Sequence, residues 1–297
     1  FQFQILEQQI NAADTSNLNI TLEPLSEELS EVQIIAQKER VFELNRLKDV
    51  EGTAIYAGKK TEVIQVDQSM ANLATNNARQ IYSQVAGLNI FQNDDGGLQL
   101  NIGGRGLNPN RTANFNTRQN GYDISADVLG YPESYYTPAA EGLQQIQIIR
   151  GAASLQYGTQ FGGLVNFIMK EPNPNKPLEV ITRNTAGSYG LYTNFTSLSG
   201  TKDQWSYYTY VNYKRGDGFR PNSEYESINM FSHLGYDFNE KTKLTGEATY
   251  MNYLAQQAGG LTDQMFDRDP YQSNRERNWF EVDWLLYNLK LSHEFSK

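Results

Sequence analysis

Apolar and polar residues alternate at both ends of this chain, and a less regular stretch separates them. Phe1-Gln2-Phe3-Gln4-Ile5 and Leu18-Asn19-Ile20-Thr21-Leu22 alternate with period two, as strands with one buried face do. Pro24 to Ser30 is polar and acidic, a linker, and Glu31-Val32-Gln33-Ile34-Ile35 is a short β-prone run beyond it. From about residue 178 the alternation returns and persists. Trp205, Tyr207, Thr209, Val211 and Tyr213 fall on one face, and Ser206, Tyr208, Tyr210, Asn212 and Lys214 on the other. The pattern predicts six strands, near 178–187, 190–200, 204–216, 226–238, 242–256 and 284–296. Residues 39–175 read as a mixed α/β domain. Val63 to Val66, Leu88 to Phe91, Leu98 to Ile102 and Ile146 to Arg150 are short strands. A helix is predicted over 70–85, capped by Ser69 and ended by Gly87, with Leu73, Ile81 and Val85 on its apolar face.

The strands of 178–297 carry 12 of the 19 tyrosines and all three tryptophans. Alternating strands with aromatic ends suit a β-barrel in lipid, although a soluble β-sandwich alternates equally well. The connections favour the barrel. Asn239-Glu240-Lys241-Thr242 is a tight turn, whereas the link between Met251 and Trp279 is long, and membrane barrels alternate short and long connections. Six strands cannot close such a barrel. The chain is therefore expected to be a fragment at its C-terminal side, and also at Phe1, which has no initiator Met.

Composition narrows the chemistry. The net charge is −9, which argues against a nucleic-acid partner. There is no cysteine, so disulfides, thiolate metal sites and cysteine nucleophiles are excluded within these residues. The two histidines, His233 and His293, sit in strand-like runs, so no histidine-based metal site or triad is expected. The mean hydropathy is −0.61, and no run approaches the roughly 18 apolar residues of a membrane helix, which leaves a barrel untouched.

Several motifs fall in order between Leu100 and Lys170. Leu100-Asn101-Ile102-Gly103-Gly104-Arg105-Gly106-Leu107-Asn108-Pro109 resembles the Ile-Arg-Gly element in the plug of TonB-dependent receptors. Asn120-Gly121-Tyr122-Asp123 stands where that family has Asp-Gly-Ile-Pro. Ile146-Gln147-Ile148-Ile149-Arg150-Gly151 with Tyr157-Gly158, and Gly162-Gly163-Leu164-Val165-Asn166-Phe167, resemble two further family blocks. Arg105 to Pro109, Tyr157-Gly158-Thr159-Gln160 and Gly259-Gly260-Leu261-Thr262 are most similar to the ferric-citrate receptor branch. The resemblance implies an α+β plug domain followed by antiparallel transmembrane strands, part of a 22-stranded barrel. The implied domains are 1–24, the end of a carboxypeptidase-regulatory-like β domain; 25–38, a linker; 39–175, the plug; and 176–297, the first strands of the barrel.

It also implies a function: import of an iron chelate, ferric citrate or another carboxylate siderophore, across the outer membrane of a Gram-negative bacterium. The protein would be a receptor and not an enzyme, with iron carried only inside the substrate and no resident cofactor. TonB and its inner-membrane energising proteins would be partners, reached through a TonB box at Val32, Gln33, Ile34 and Ile35, where a short β-prone run suits strand addition. Arg105 matches an arginine that faces the substrate in the ferric-citrate branch and pairs with a barrel carboxylate in other receptors; a guanidinium fork suits a citrate carboxylate. Asn93 and Asp94 fall in an apical loop. Asn108 is a further substrate-binding candidate, and Arg111, Arg118, Arg268 and Arg275, with Arg277, lie in polar loop segments that would form a basic funnel for an anionic chelate. Tyr131 occupies the place of a ligand-touching glutamine. Arg150 is expected to pair with a wall carboxylate such as Glu247. Two rivals stand beside this reading: a receptor for haem, cobalamin or glycans, and a soluble β-rich binding protein or carbohydrate-active enzyme.

Overall fold

The computed structural model describes residues 44–51, 54–57, 60–126, 133–158 and 160–295. The chain divides into two units, Phe1–Arg40 and Val41–Lys297, and all described residues belong to the second. The expected N-terminal β domain, the Val32–Ile35 run and Tyr131 lie outside the described residues.

Residues 44–169 form the mixed domain. A small hairpin pairs β1 (Val50–Glu51) with β2 (Ala54–Ile55). A two-stranded ladder joins β4 (Leu88–Ile90) to β5 (Ile102–Gly104). The main sheet contains β3 (Lys60–Gln65), β6 (Phe115–Gln119), β7 (Tyr122–Asp123), β8 (Leu143–Arg150) and β9 (Gly163–Met169), in the order β3-β8-β9-β6-β7. Only β6 and β9 pair in parallel. Strand β8 is a nearly continuous apolar run because both its faces are covered: Ile146 and Ile148 enter the main core, while Ile149 packs with Tyr56 and Leu164 on the other side.

The predicted helix contracts to one turn, α1 (Ala78–Ile81), capped by Asn77 and not by Ser69. The Ser69 hydroxyl accepts from the N–H of Ala71 in a turn. Asn76 then takes a left-handed φ of 49°, which stops a helix, and its side chain ties three segments together. It donates to the carbonyls of Gly97 and Pro138 and accepts from the N–H of Ala140. The predicted strand Leu98 to Ile102 is also shortened. The N–H groups of Leu98 and Gln99 point to the Asp94 carboxylate and that of Leu100 to the Thr137 hydroxyl, so no ladder begins before Ile102.

The second layer is a six-stranded antiparallel sheet in simple meander order: β10 (Glu179–Ala186), β11 (Tyr192–Lys202), β12 (Trp205–Gly216), β13 (Tyr225–Asn239), β14 (Thr242–Gln256) and β15 (Trp279–His293). Five strands match the predicted limits within two residues. The sixth begins five residues earlier, because Trp279 to Asp283 pair with Gln256 to Asn252. One face packs on the mixed domain through Phe195, Tyr210, Phe231, Met251 and Tyr253, all buried. The opposite face leaves Leu198, Val211, Leu234, Leu254, Leu285, Leu289 and Leu291 exposed. So continuous an apolar exterior fits a barrel wall facing lipid, not the outside of a soluble sandwich. At the short-turn end, Trp205, Tyr236 and Phe238 form a chain of ring contacts of 4.6 and 4.9 Å. Tyr192 and Tyr213 meet at 6.3 Å at the other end.

One expected contact is corrected. Arg150 pairs with Glu62 of the neighbouring strand β3, at 2.8 Å, and donates to the carbonyl of Ala86. The register brings Glu62 and Arg150 to one end of the same strand pair, within reach before any wall residue. Glu247 is instead held by His233 of β13 at 3.0 Å and by the amide of Asn120 at 2.8 Å. The mixed domain is thus tied to the wall at Glu247, through Asn120.

Arg150→Met leaves the largely buried Glu62 carboxylate with only the exposed Lys60, at 3.9 Å. It should cost the full-length protein about 3 kcal/mol in denaturant unfolding. Adding Glu62→Leu should recover most of that loss, and a double variant as unstable as the single one would show that the pair is not the source of the effect.

Candidate substrate site

The long connections of the sheet, 187–191, 217–224 and 257–278, lie at one end of the strands. The mixed domain reaches this end through the loop following β4. Asp94 is its internal staple: one carboxylate oxygen accepts from the N–H of Leu98 at 2.8 Å and the other from Gln99 at 3.1 Å. Burial raises the pKa of Asp94 above its ordinary value, opposed by those two hydrogen bonds and by the charge of Lys214. Asp94 therefore shapes the loop and does not face a ligand. Its neighbour Asp95 reaches outward and accepts from the N–H of Phe219, in the second long connection, at 2.9 Å.

Asn101 organises the surface beneath this loop. Fully buried, its side-chain oxygen accepts from the amide of Asn93 at 3.1 Å and from the N–H of Arg111 at 2.8 Å, while its amide donates to the carbonyl of Gln99. Arg111 and Thr112 both hold left-handed φ angles, 45° and 55°, a conformation that costs non-glycine residues of order 1 kcal/mol or more. The Thr112 hydroxyl, bridging the carbonyl of Leu100 and the N–H of Ile102, fixes it. The strained turn aims the Arg111 guanidinium between two rings: its carbon lies 4.6 Å from the Phe280 centroid and 5.6 Å from that of Tyr135. Glu133 approaches to 3.7 Å. Beside them Gln99 donates to the Tyr253 hydroxyl at 2.7 Å, which donates in turn to the carbonyl of Tyr135. The outcome is a half-exposed guanidinium on a rigid polar and aromatic floor.

The other expected residues are distributed differently. Arg105 is exposed, with φ 57°, and stands beside Gly151 at the end of β8, not beside the loop of Asn93 and Asp94. Asn108 uses its side-chain oxygen on the N–H of Asn110 in its own turn. Arg118 lies on β6, not in a loop. Its guanidinium donates to Asn116 and to the carbonyls of Gly121 and Tyr157, and rests over the Tyr157 ring. Arg268 ends the short helix α2 (Asp263–Arg268) in the third long connection, where Arg275 and Arg277 are also exposed. The structure thus joins Asn93, Asp94 and Arg111 through shared partners, whereas Arg105 stands beside Gly151 and Arg118 is held by Asn116, Gly121 and Tyr157. Missed in the sequence are Asn101, Tyr135, Tyr253 and Phe280, together with Arg220, which donates to the carbonyls of Gln272 and Gly259 and staples the second long connection to the third. No local spacing links these residues; only the docking of the mixed domain on the wall assembles them.

Residues 57–164 match the family model of the TonB-dependent receptor plug domain. The chain carries a TonB-dependent receptor plug. Around it stand strands arranged as in the barrels of such receptors. Among solved structures the chain is similar to the ferric citrate transporter FecA in its unliganded form, with a TM-score of 0.67 and 22% identity over 81% of this chain and 38% of that one. It is also similar to the ferripyoverdine receptor of the outer membrane of Pseudomonas aeruginosa, at 0.57 and 19%, over 80% and 32%, and to the copper transporter OprC, at 0.56 and 16%, over 74% and 33%. The chain therefore spans about a third of the length of these proteins, 32% to 38%. No curated protein sequence matches it.

The raised pKa of Asp94 has a consequence for stability. The folded plug holds that proton more tightly than the unfolded chain, so its contribution is fully present below the unfolded value and is lost as pH rises through the folded one. Asp94→Asn should remove this component, giving a flatter profile of unfolding free energy as pH rises above the ordinary carboxylate range. An unchanged profile would assign the titration to another group.

Proposed function

We propose that the chain is part of an outer-membrane receptor that imports an anionic iron chelate, ferric citrate or another carboxylate siderophore, with energy supplied through TonB. The observation that carries the reading is Arg111. Its guanidinium is half-exposed at the long-connection end, braced by two rings and a strained turn, and its side-chain N–H groups make no hydrogen bond to any described residue. A planar fork with unspent donors is suited to a carboxylate pair on a chelate. Glu133, too distant for a direct hydrogen bond, tempers the charge and leaves room for exchange of the partner. The arginines of the third long connection, Arg268, Arg275 and Arg277, are exposed and would draw an anion toward that end even though the chain carries a net charge of −9.

In this reading the long connections face the cell exterior and the short turns the periplasm. The exposed apolar face of β10–β15 contacts outer-membrane lipid. Chelate bound on Arg111 would bear on the loop of Asn93 to Asp95, which is joined to the wall through Phe219. TonB would take hold of Val32 to Ile35 by strand addition and draw on the plug. The task is binding and passage, so no bond of the cargo is made or broken by the protein.

The test is chelate binding to the full-length receptor in detergent, followed by tryptophan fluorescence. Ferric citrate should bind, and Arg111→Ala should weaken it about 10- to 100-fold, as expected for a lost charged hydrogen bond. Arg105→Ala should change it by no more than about twofold. Loss on Arg105→Ala with Arg111→Ala unaffected would move the site to the end of β8. Failure of every iron chelate would remove the cargo assignment and turn attention to haem, cobalamin and glycans.

A further inference from the structure

Arg111 shares its floor with an anion. One carboxylate oxygen of Glu133 lies 3.7 Å from the guanidinium. The other accepts from the Tyr135 hydroxyl at 2.9 Å, and the Tyr135 ring is one of the two that flank Arg111. The pair is open to solvent, with 26% of the Arg111 side chain and 22% of that of Glu133 exposed. Arg150 and Glu62 stand at the other extreme, 2.8 Å apart with 8% and 13% exposed. That pair is closed on itself. The apical pair is longer than a hydrogen bond and within reach of water, so it contributes little attraction and opens readily.

The two members are held differently. The Arg111 guanidinium lies between the rings of Phe280 and Tyr135, and its backbone N–H is fixed on Asn101. The backbone of Glu133 is fixed as well. Its carbonyl accepts from the N–H of Ala126 at 3.1 Å, and the next N–H, that of Ser134, donates to the carbonyl of Arg111 at 2.8 Å. The Glu133 carboxylate, at the end of a flexible stem, is tethered by the Tyr135 hydroxyl. It can swing away from Arg111 by side-chain torsions alone, with no segment of the chain moving. What it offers Arg111 is the group that an arm of citrate would offer, a carboxylate on a methylene stem. A fork that meets both oxygens of a carboxylate at about 2.8 Å is better satisfied than one facing a single oxygen at 3.7 Å. An incoming carboxylate can therefore take the place of Glu133.

We propose that Glu133 is a resident placeholder, an internal carboxylate that stands in for the cargo's at the Arg111 fork and is displaced when a chelate carboxylate binds there. The proposal rests on the import reading given above. The contact that must be given up, and the repulsion between Glu133 and the arriving anion, weaken binding at the fork. A chelate with several carboxylates retains useful affinity, whereas a simple monoanion, weak from the start, is kept off the fork. The test is equilibrium titration of the full-length receptor in detergent with ferric citrate. Glu133→Gln keeps the shape and the acceptor for Tyr135 but removes the charge, and should tighten binding about fivefold. In an Arg111→Ala background the same substitution should change affinity by less than about twofold, because no fork remains to compete for. Glu133→Ala should give the same gain, and it decides if Glu133→Gln weakens binding by disturbing the floor: a gain supports the placeholder and its absence overturns it. Wild-type affinity in both variants overturns the placeholder and leaves the import reading intact. An equal gain with and without Arg111 overturns it too, since Glu133 would then merely repel anions. If the wild type does not bind ferric citrate, the cargo assignment fails and takes the placeholder with it.

Discussion

A domain that fills the inside of a β-wall has to satisfy the polar groups of two surfaces at once. The inward face of this wall is largely polar, with Thr193, Ser197, Asn212, Lys214, Asn229, Glu247 and Thr249 all buried against the plug. An unpartnered polar group at such depth costs about 1–3 kcal/mol. The plug answers with polar residues of its own. Gln119 meets Thr249, Asn120 meets Glu247, Gln99 meets Tyr253, the carbonyl of Thr137 receives Asn229, and Glu141 reaches Arg183 of β10. These ties run along the chain from Asp95 to Glu141, so the middle of the plug is the part matched to the wall.

The same constraint explains the apical site. Arg111 can keep a strained backbone because Asn101 and Thr112 hold it from below, and it can present a half-exposed guanidinium because rings from plug and wall, Tyr135 and Phe280, flank it. Glycine serves the fit where no side chain has room. A Cβ at Gly142 would collide with the Tyr210 ring of the wall, and one at Gly96 with that of Tyr225. Charge is treated with similar economy: Glu141, whose pKa burial raises, is buried beside Arg183 and Lys170, and burial lowers the pKa of Lys170 in turn. These groups are compensated at the plug–wall boundary, whereas the Arg111 side chain hydrogen-bonds to no described residue and has Glu133 at 3.7 Å.

How much of this was legible in the sequence follows from the range of the interactions involved. The six wall strands could be read from Trp205-to-Tyr213 type alternation, because a strand's two faces are written two residues apart and each strand pairs with its sequence neighbour. The plug was legible as motifs and less so as elements. The helix over 70–85 was overestimated because Asn72, Asn76 and Asn77 satisfy the backbone with their own side chains. Strand β6 was not anticipated, since Phe115-Asn116-Thr117-Arg118-Gln119 is mostly polar. It is a strand because β9 pairs with it, 48 residues away in the register Phe115 to Gly163.

The sequence by itself determined the wall, its lipid-type exterior, the place of the plug and the chemical types available for binding, since all of these depend on local period and composition. Only the tertiary structure decided which partner each cation meets. Arg150 and Arg118 are consumed inside the plug, by Glu62 and by Asn116, Gly121 and Tyr157; Arg111 meets two rings and, at 3.7 Å, Glu133, and its side chain hydrogen-bonds to no described residue. In sequence Arg111 and Arg118 both stand in polar settings, and Arg150 closes an apolar strand. What separates them is the partner each meets after folding, and for Arg111 the ring of Phe280 lies 169 residues further along the chain, as the two residue numbers give. Contacts of that span are set by the docking of one layer on another, and nothing in the local pattern of either segment encodes them.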